Sequence, residues 1–127
     1  LELGQIEGGF LQGQGWLTME EVNWNSNGKI TTFSPSTYKI PAVSDMPRKF
    51  NVEIFKQGKN KEKVVNKAKT TGEPPLMLAM SVFYAIKDAI ASVTKYKTIP
   101  ILDAPATPEK ILMSLKNIKN KTNYNKN

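Results

Sequence analysis

The sequence predicts an α+β fold: a small antiparallel sheet carried with a glycine-rich N-terminal helix, a buried apolar central helix and a C-terminal helix. Three stretches carry this expectation. Asn25-Ser26-Asn27-Gly28 lies between Val22-Asn23-Trp24 and Lys29-Ile30-Thr31-Thr32-Phe33, and Asn-Gly between strand-like runs is a strong hairpin signal. From Leu76 to Ile86 the chain carries no charge, so a helix there is apolar on nearly every face and needs cover all round. Thr107, Pro108 and Glu109 supply an N-cap, a proline at the first helical position and an acid in the first turn.

At 127 residues the chain can bury one modest core, and residues 1–127 read as a single segment. The opening Leu1-Glu2-Leu3-Gly4-Gln5 shows no initiator methionine or basic leader. The apolar helix also wants more covering surface than so short a chain supplies, which together suggests a piece of a larger protein.

The glycine-rich opening places Gly4 and Gly8, and likewise Gly9 and Gly13, four residues apart on a helix face. Each glycine costs a helix about 1 kcal/mol relative to alanine, so a reason for close approach is needed, either another backbone or a flat ligand. After the hairpin, the two prolines of Ser34-Pro35-Ser36-Thr37-Tyr38-Lys39-Ile40-Pro41 favour an irregular strap, tacked down by Tyr38 and Ile40. Phe50-Asn51-Val52-Glu53-Ile54-Phe55 alternates as a half-buried strand and is expected to join the sheet. A charged connector leads to Lys69-Thr70-Thr71-Gly72-Glu73-Pro74-Pro75 and the apolar run behind it. That run meets Lys87-Asp88 before the ~20 residues a bilayer span needs, so a core helix is expected and no membrane span. The last helix is expected from Pro108 to about Lys119, with Ile111, Leu115 and Ile118 on one face, and residues 119–127 as a mobile tail.

Cysteine and histidine are both absent, which excludes disulfides, the usual zinc sites, iron-sulfur ligation by this segment, Cys nucleophiles and His-based triads. Acid or base chemistry falls to Glu, Asp, Lys or Tyr. The lack of cysteine is compatible with a cytoplasmic setting. The net charge of +7 raises the question of a nucleic-acid partner, but many lysines fall in 56–69 and 110–126 among asparagines. This distribution reads as solvated loop and tail rather than a nucleic-acid surface.

Glu73 is the residue that calls for an explanation, a carboxylate at the mouth of an apolar helix. Gly72 before it lets other groups approach the backbone, and Pro74 after it disfavours helical geometry at Glu73. A helix N-terminus favours the ionised carboxylate and burial opposes it, a balance suited to a general base. Capping the helix or pairing with a lysine explains the same residue, and local physics leaves all three open.

Gly4-Gln5-Ile6-Glu7-Gly8-Gly9-Phe10, Ser36-Thr37-Tyr38-Lys39-Ile40-Pro41, Gly72-Glu73-Pro74-Pro75-Leu76, Phe83-Tyr84-Ala85-Ile86-Lys87-Asp88-Ala89 and Ala104-Pro105-Ala106-Thr107-Pro108-Glu109 together resemble the C-terminal end of the molybdenum-binding part of xanthine dehydrogenases. The blocks occur in the family's order, from the chain's start to about Ile118. Gly15-Trp16-Leu17-Thr18 with Glu20-Glu21 is most similar to the bacterial form, in which the molybdenum subunit is a separate chain. Thr70-Thr71 replaces the Ala-Val pair common before the Gly-Glu-Pro-Pro motif.

The resemblance implies a fragment of a larger molybdopterin-binding domain that hydroxylates a purine, a related N-heterocycle or an aldehyde, with water as the oxygen source. It implies that Glu73 is the catalytic base, that Gln5 hydrogen-bonds a molybdopterin-type cofactor, and that Gly72 brings backbone close to the molybdenum. The pterin dithiolene would hold the metal, with no protein ligand. Iron-sulfur clusters and FAD would lie elsewhere in the complete enzyme, on partner domains or subunits, and this segment alone would be inactive. The rival from another class is a non-catalytic basic binding or assembly module, with nucleic acid as its candidate partner.

Overall fold

The computed structural model describes residues 1–124, with side chains described to Lys121. Four helices carry the architecture: α1 (Glu2–Thr18), α2 (Glu73–Leu78), α3 (Met80–Ser92) and α4 (Pro108–Tyr124), with short 3-10 turns at Val43–Asp45 and Val65–Lys67. α1 lies against α2 and the start of α3, and α3 packs on α4.

The expected sheet does not form, and the fold is helical with long irregular connections. Among the described residues there is no β-strand, and the hairpin is reduced to a single antiparallel bridge between Trp24 and Ile30. Its turn is present: Asn25 N–H donates to Lys29 O at 2.9 Å, Gly28 N–H to Asn25 O at 3.0 Å, and Gly28 takes φ +74°. The pairing stops there because nothing covers its apolar residues; Trp24 is 59% exposed, and a lone hairpin is marginal in water. Residues 50–55 meet no partner strand. Phe50 instead packs against Phe10 of α1, ring centroids 5.2 Å apart with the planes tilted by 41°, while Phe55 remains exposed.

The strap after the hairpin turns at Ser34–Thr37, where Thr37 N–H and Tyr38 N–H both donate to Ser34 O at 2.9 Å. Tyr38 fastens it to the end of α1 by donating its hydroxyl to the buried Glu20 Oε2 at 2.5 Å, whereas Ile40 stays exposed.

The central helix is neither continuous nor buried. It divides into α2 and α3 at Ala79, which keeps right-handed helical dihedrals (φ −62°, ψ −13°) while Ala79 N–H donates to Leu76 O and Val82 N–H to Ala79 O, and Met77, Leu78, Met80 and Tyr84 face outward, Leu78 at 67% exposure. The physical reason is surface: a chain of 127 residues has too little to wrap a helix that is apolar all round. By length and composition Glu73–Ser92 is the one helical stretch among the described residues that could span a membrane. It carries Lys87 and Asp88 and packs against α1, with one side uncovered.

The core lies where α3 meets α4. Ile90, Leu102, Ala106 and Ile118 are buried there, flanked by Phe83, Ile86, Ile111 and Leu115. Thr107 starts α4 as its signals require: Lys110 N–H points to Thr107 Oγ1 at 3.4 Å and Ile111 N–H bonds Thr107 O at 2.9 Å. α4 runs past Lys119 to Tyr124. Of the expected tail, residues 125–127 lie outside the described residues. Ala106 N–H donates to Leu17 O at 2.7 Å, tying the core's edge to α1.

Candidate functional site

Two glycines decide how α1 meets α2. A Cβ at Gly9 would stand 2.9 Å from Gly72 O and 3.1 Å from Pro75 Cγ; one at Gly13 would overlap Leu76 O and stand 2.7 Å from Ala79 Cβ. No real side chain tolerates such contacts with backbone, so only glycine allows this approach. One turn along α1, from Gly9 to Gly13, matches one turn along α2, from Gly72 to Leu76. The two helices therefore run in the same sense where they touch.

That register carries Gln5 to the mouth of α2. Gln5, Gly9 and Gly13 follow at four-residue intervals and share one face of α1. Gly9 already meets the residue that caps α2, so Gln5, a turn earlier, lies beyond the α2 N-terminus. A cleft of about 380 Å³ results, lined by Gly4, Gln5, Gly8, Gly9, Gln12, Gly72, Glu73 and Leu76. The three residues singled out in the sequence, Gln5, Gly72 and Glu73, thus share one cleft.

Glu73 is the first residue of α2 and takes helical geometry, contrary to the expectation from Pro74. Prolines are tolerated in a first turn because the N–H groups they lack have no partner there, and Pro74 and Pro75 occupy that turn. Leu76 N–H, the next donor, is taken by Gly72 O at 3.2 Å. Glu73 is exposed, makes no side-chain cap of its helix, and has no ion pair among the described residues. The capping and lysine-pair explanations of this carboxylate therefore find no contact to rest on.

Gly4 and Gly8 differ from the other glycines of α1: a Cβ at either would meet nothing within 4 Å. They leave a bare strip of helix backbone open on the cleft. Gln12 adds a second primary amide that the sequence did not single out; its spacing of seven residues from Gln5, two helical turns, is the signal that could have found it. Among the described residues no three His, Cys, Asp or Glu side chains group as metal ligands. A wall with bare backbone, two primary amides and one carboxylate offers hydrogen-bond donors and acceptors to a flat, polar organic group.

The groups whose titration is displaced lie elsewhere. The hydrogen bond to Glu20, with burial and the charge of that carboxylate, raises Tyr38. Asp45 is lowered by the N–H of Ala42 and by Lys39, which sits 3.1 Å away. Tyr96 is raised by the charge and hydrogen bond of Asp88.

Comparison with known proteins agrees with the chemistry of this wall. Residues 1–47 match the molybdopterin cofactor-binding domain family. Xanthine dehydrogenase/oxidase of Felis catus is 45% identical over 117 residues, covering 87% of this chain and 9% of the relative. Xanthine dehydrogenase of Oryza sativa subsp. japonica is 42% identical over 125 residues, 90% of this chain and 9% of the relative. Indole-3-acetaldehyde oxidase of Arabidopsis thaliana is 48% identical over 95 residues, 75% of this chain and 7% of the relative. The chain thus spans less than a tenth of the length of the curated relatives it matches. These similarities support a molybdenum cofactor of the molybdopterin type.

Proposed function

We propose that this chain is the C-terminal part of the molybdenum-binding portion of a xanthine dehydrogenase-type hydroxylase, where it supplies the catalytic base and one wall of the cofactor pocket. The observation that carries the proposal is the cleft gathering Gln5, Gly72 and Glu73 from two helices far apart in sequence. A bound molybdopterin-type cofactor supplies the two-electron redox chemistry of hydroxylation.

The residues of this chain do the rest by position. Glu73 holds a carboxylate without a partner among the described residues, so either Oε is free to accept the proton released as water-derived oxygen attacks the substrate carbon. Gln5 offers both a donor and an acceptor from one amide, which suits the edge of a pterin ring. Gly72 exposes bare backbone beside the base and keeps the approach clear.

The substrate class is a purine, a related N-heterocycle or an aldehyde. The remaining pocket, the iron-sulfur clusters and the FAD come from the rest of the complete enzyme in the cytoplasm, which also covers Met77, Leu78, Met80 and Tyr84. Gly15-Trp16-Leu17-Thr18 with Glu20-Glu21 favours the bacterial arrangement, with the molybdenum subunit as a separate chain. The lysines between 56 and 69 sit largely on exposed, irregular chain, which weighs against a nucleic-acid module, whereas Lys110, Lys116, Lys119 and Lys121, expected in part as tail, lie on helix α4.

The test is Glu73→Gln in the complete enzyme. Turnover should fall by ~10² to 10⁴-fold or more while molybdopterin content stays near that of the parent, because the carboxamide keeps the shape and loses the base. Near-normal turnover would remove the assignment.

A further inference from the structure

We propose that Gly9 and Gly13 are positioning residues for Glu73, acting through the side chains they lack; the proposal rests on the reading of Glu73 as the base. α2 has six residues and opens on Glu73. Its outer side, at Met77 and Leu78, is exposed, so within this chain its distance from α1 is set by the contacts at the two glycines.

Gly9 meets Gly72 O and the ring of Pro75, so the contact lies one residue before Glu73 and two after it. Pro74 and Pro75 fix their own φ angles and stiffen that turn, so a push at either point moves the carboxylate with it. Gly13 meets Leu76 O and Ala79 Cβ a turn further on. The atoms in the way are backbone, a rigid ring and a Cβ, none of which can rotate aside.

A methyl group at Gly9 or Gly13 therefore shifts α2 away from α1, and with it Glu73 away from Gln5 across the cleft. Base catalysis is sensitive to such a shift, since misplacing a reacting group by about 1 Å can lower rate by ~10²-fold. A pure packing role predicts something else: lower stability with unchanged turnover per loaded site.

The experiment compares Gly9→Ala, Gly13→Ala, Gly15→Ala and Glu73→Gln in the complete, molybdenum-loaded protein. It measures molybdenum content, kcat per bound molybdenum, KM, Tm and the crystal structure of each variant. Gly9→Ala and Gly13→Ala should lower kcat by roughly 10 to 100-fold with KM within about twofold, the signature of an interaction lost only in the transition state. Their crystal structures should show the start of α2 displaced from Gln5.

Gly15→Ala is the packing control: its Cβ meets Glu20 and Pro41 at the other end of α1, so Tm should fall while kcat per molybdenum stays at the parent value. Parent-level kcat in loaded Gly9→Ala and Gly13→Ala, or an α2 that has not moved, would overturn the proposal. Should Gly13→Ala fail to fold or load, Gly9→Ala, with its looser contacts, decides alone. Glu73→Gln separates the two ideas: retained turnover there removes the base and the premise with it, whereas an inactive Glu73→Gln beside fully active glycine variants removes only the positioning role.

Discussion

Where α1 meets α2, backbone faces backbone because Gly9 and Gly13 carry no side chains. Where α3 meets α4, Ile90, Leu102, Ala106 and Ile118 fill the space with theirs. The first contact brings backbone against backbone, with Pro75 and Ala79 buried beside it, and places Gln5 and Glu73 on one cleft. The second is the apolar core, and none of its residues lines the cleft. The candidate site and the apolar core thus lie at different helix pairs, so a substitution can affect one and leave the other.

The largest effect expected on the α3–α4 side is from Ile118→Ala. Ile118 is 2% exposed, and removing most of a buried isoleucine destabilises by about 2 to 5 kcal/mol. A urea titration followed by circular dichroism should show the lower midpoint. Kinetics of whatever complete enzyme folds and loads should give parent kcat per molybdenum; a lowered value would show that the core also shapes the cleft.

A smaller change is expected at the start of α4. Thr107→Ala removes the hydroxyl that caps Lys110 N–H and should destabilise by about 1 kcal/mol. Thr107→Ser should recover most of it. Equal stability of all three proteins in thermal melts would mean that the 3.4 Å contact contributes nothing.

The smallest expected effect is a pH dependence from the strap. Glu20 raises the pKa of Tyr38 above its ordinary 10.0, so the phenol is favoured in the folded state. This contribution is fully present below the unfolded tyrosine pKa and is lost as pH rises through the raised folded value. Tyr38→Phe should flatten that alkaline decline, read as Tm against pH above about 9. Asp45 has the opposite sign: its lowered pKa stabilises at neutral pH and the gain is lost on acidification through the folded value. If Tyr38→Phe leaves the alkaline decline unchanged, the hydroxyl bond to Glu20 is not what fastens the strap.

The helices were legible in the sequence because their signals are local. Thr107-Pro108-Glu109 marks the start of α4 within one turn; the apolar run marks helix by composition, but its reading as one buried helix missed the division at Ala79 and the uncovered side. The resemblance of the Gly72-Glu73-Pro74-Pro75 and Gln5 blocks singled out three candidate residues that line one cleft, although Gln12 and the open strip at Gly4 and Gly8 were missed. The sheet was misread because alternation and an Asn-Gly turn report a strand's readiness to pair, not whether a partner and a cover exist. Trp24 and Phe55 alternate correctly and still face water.

By itself, then, the sequence determined the turn at Asn25–Gly28, the start of α4 and the identity of the chemical groups, since each depends on residues within a few places of one another. Tertiary structure decided which glycines of α1 are contacts and which are open, because Gly4, Gly8, Gly9 and Gly13 look alike in sequence and differ only in what stands beyond them. It also decided that Gln5 and Glu73 share a cleft, since the register of one helix on another is set by the surfaces that meet and not by local propensity.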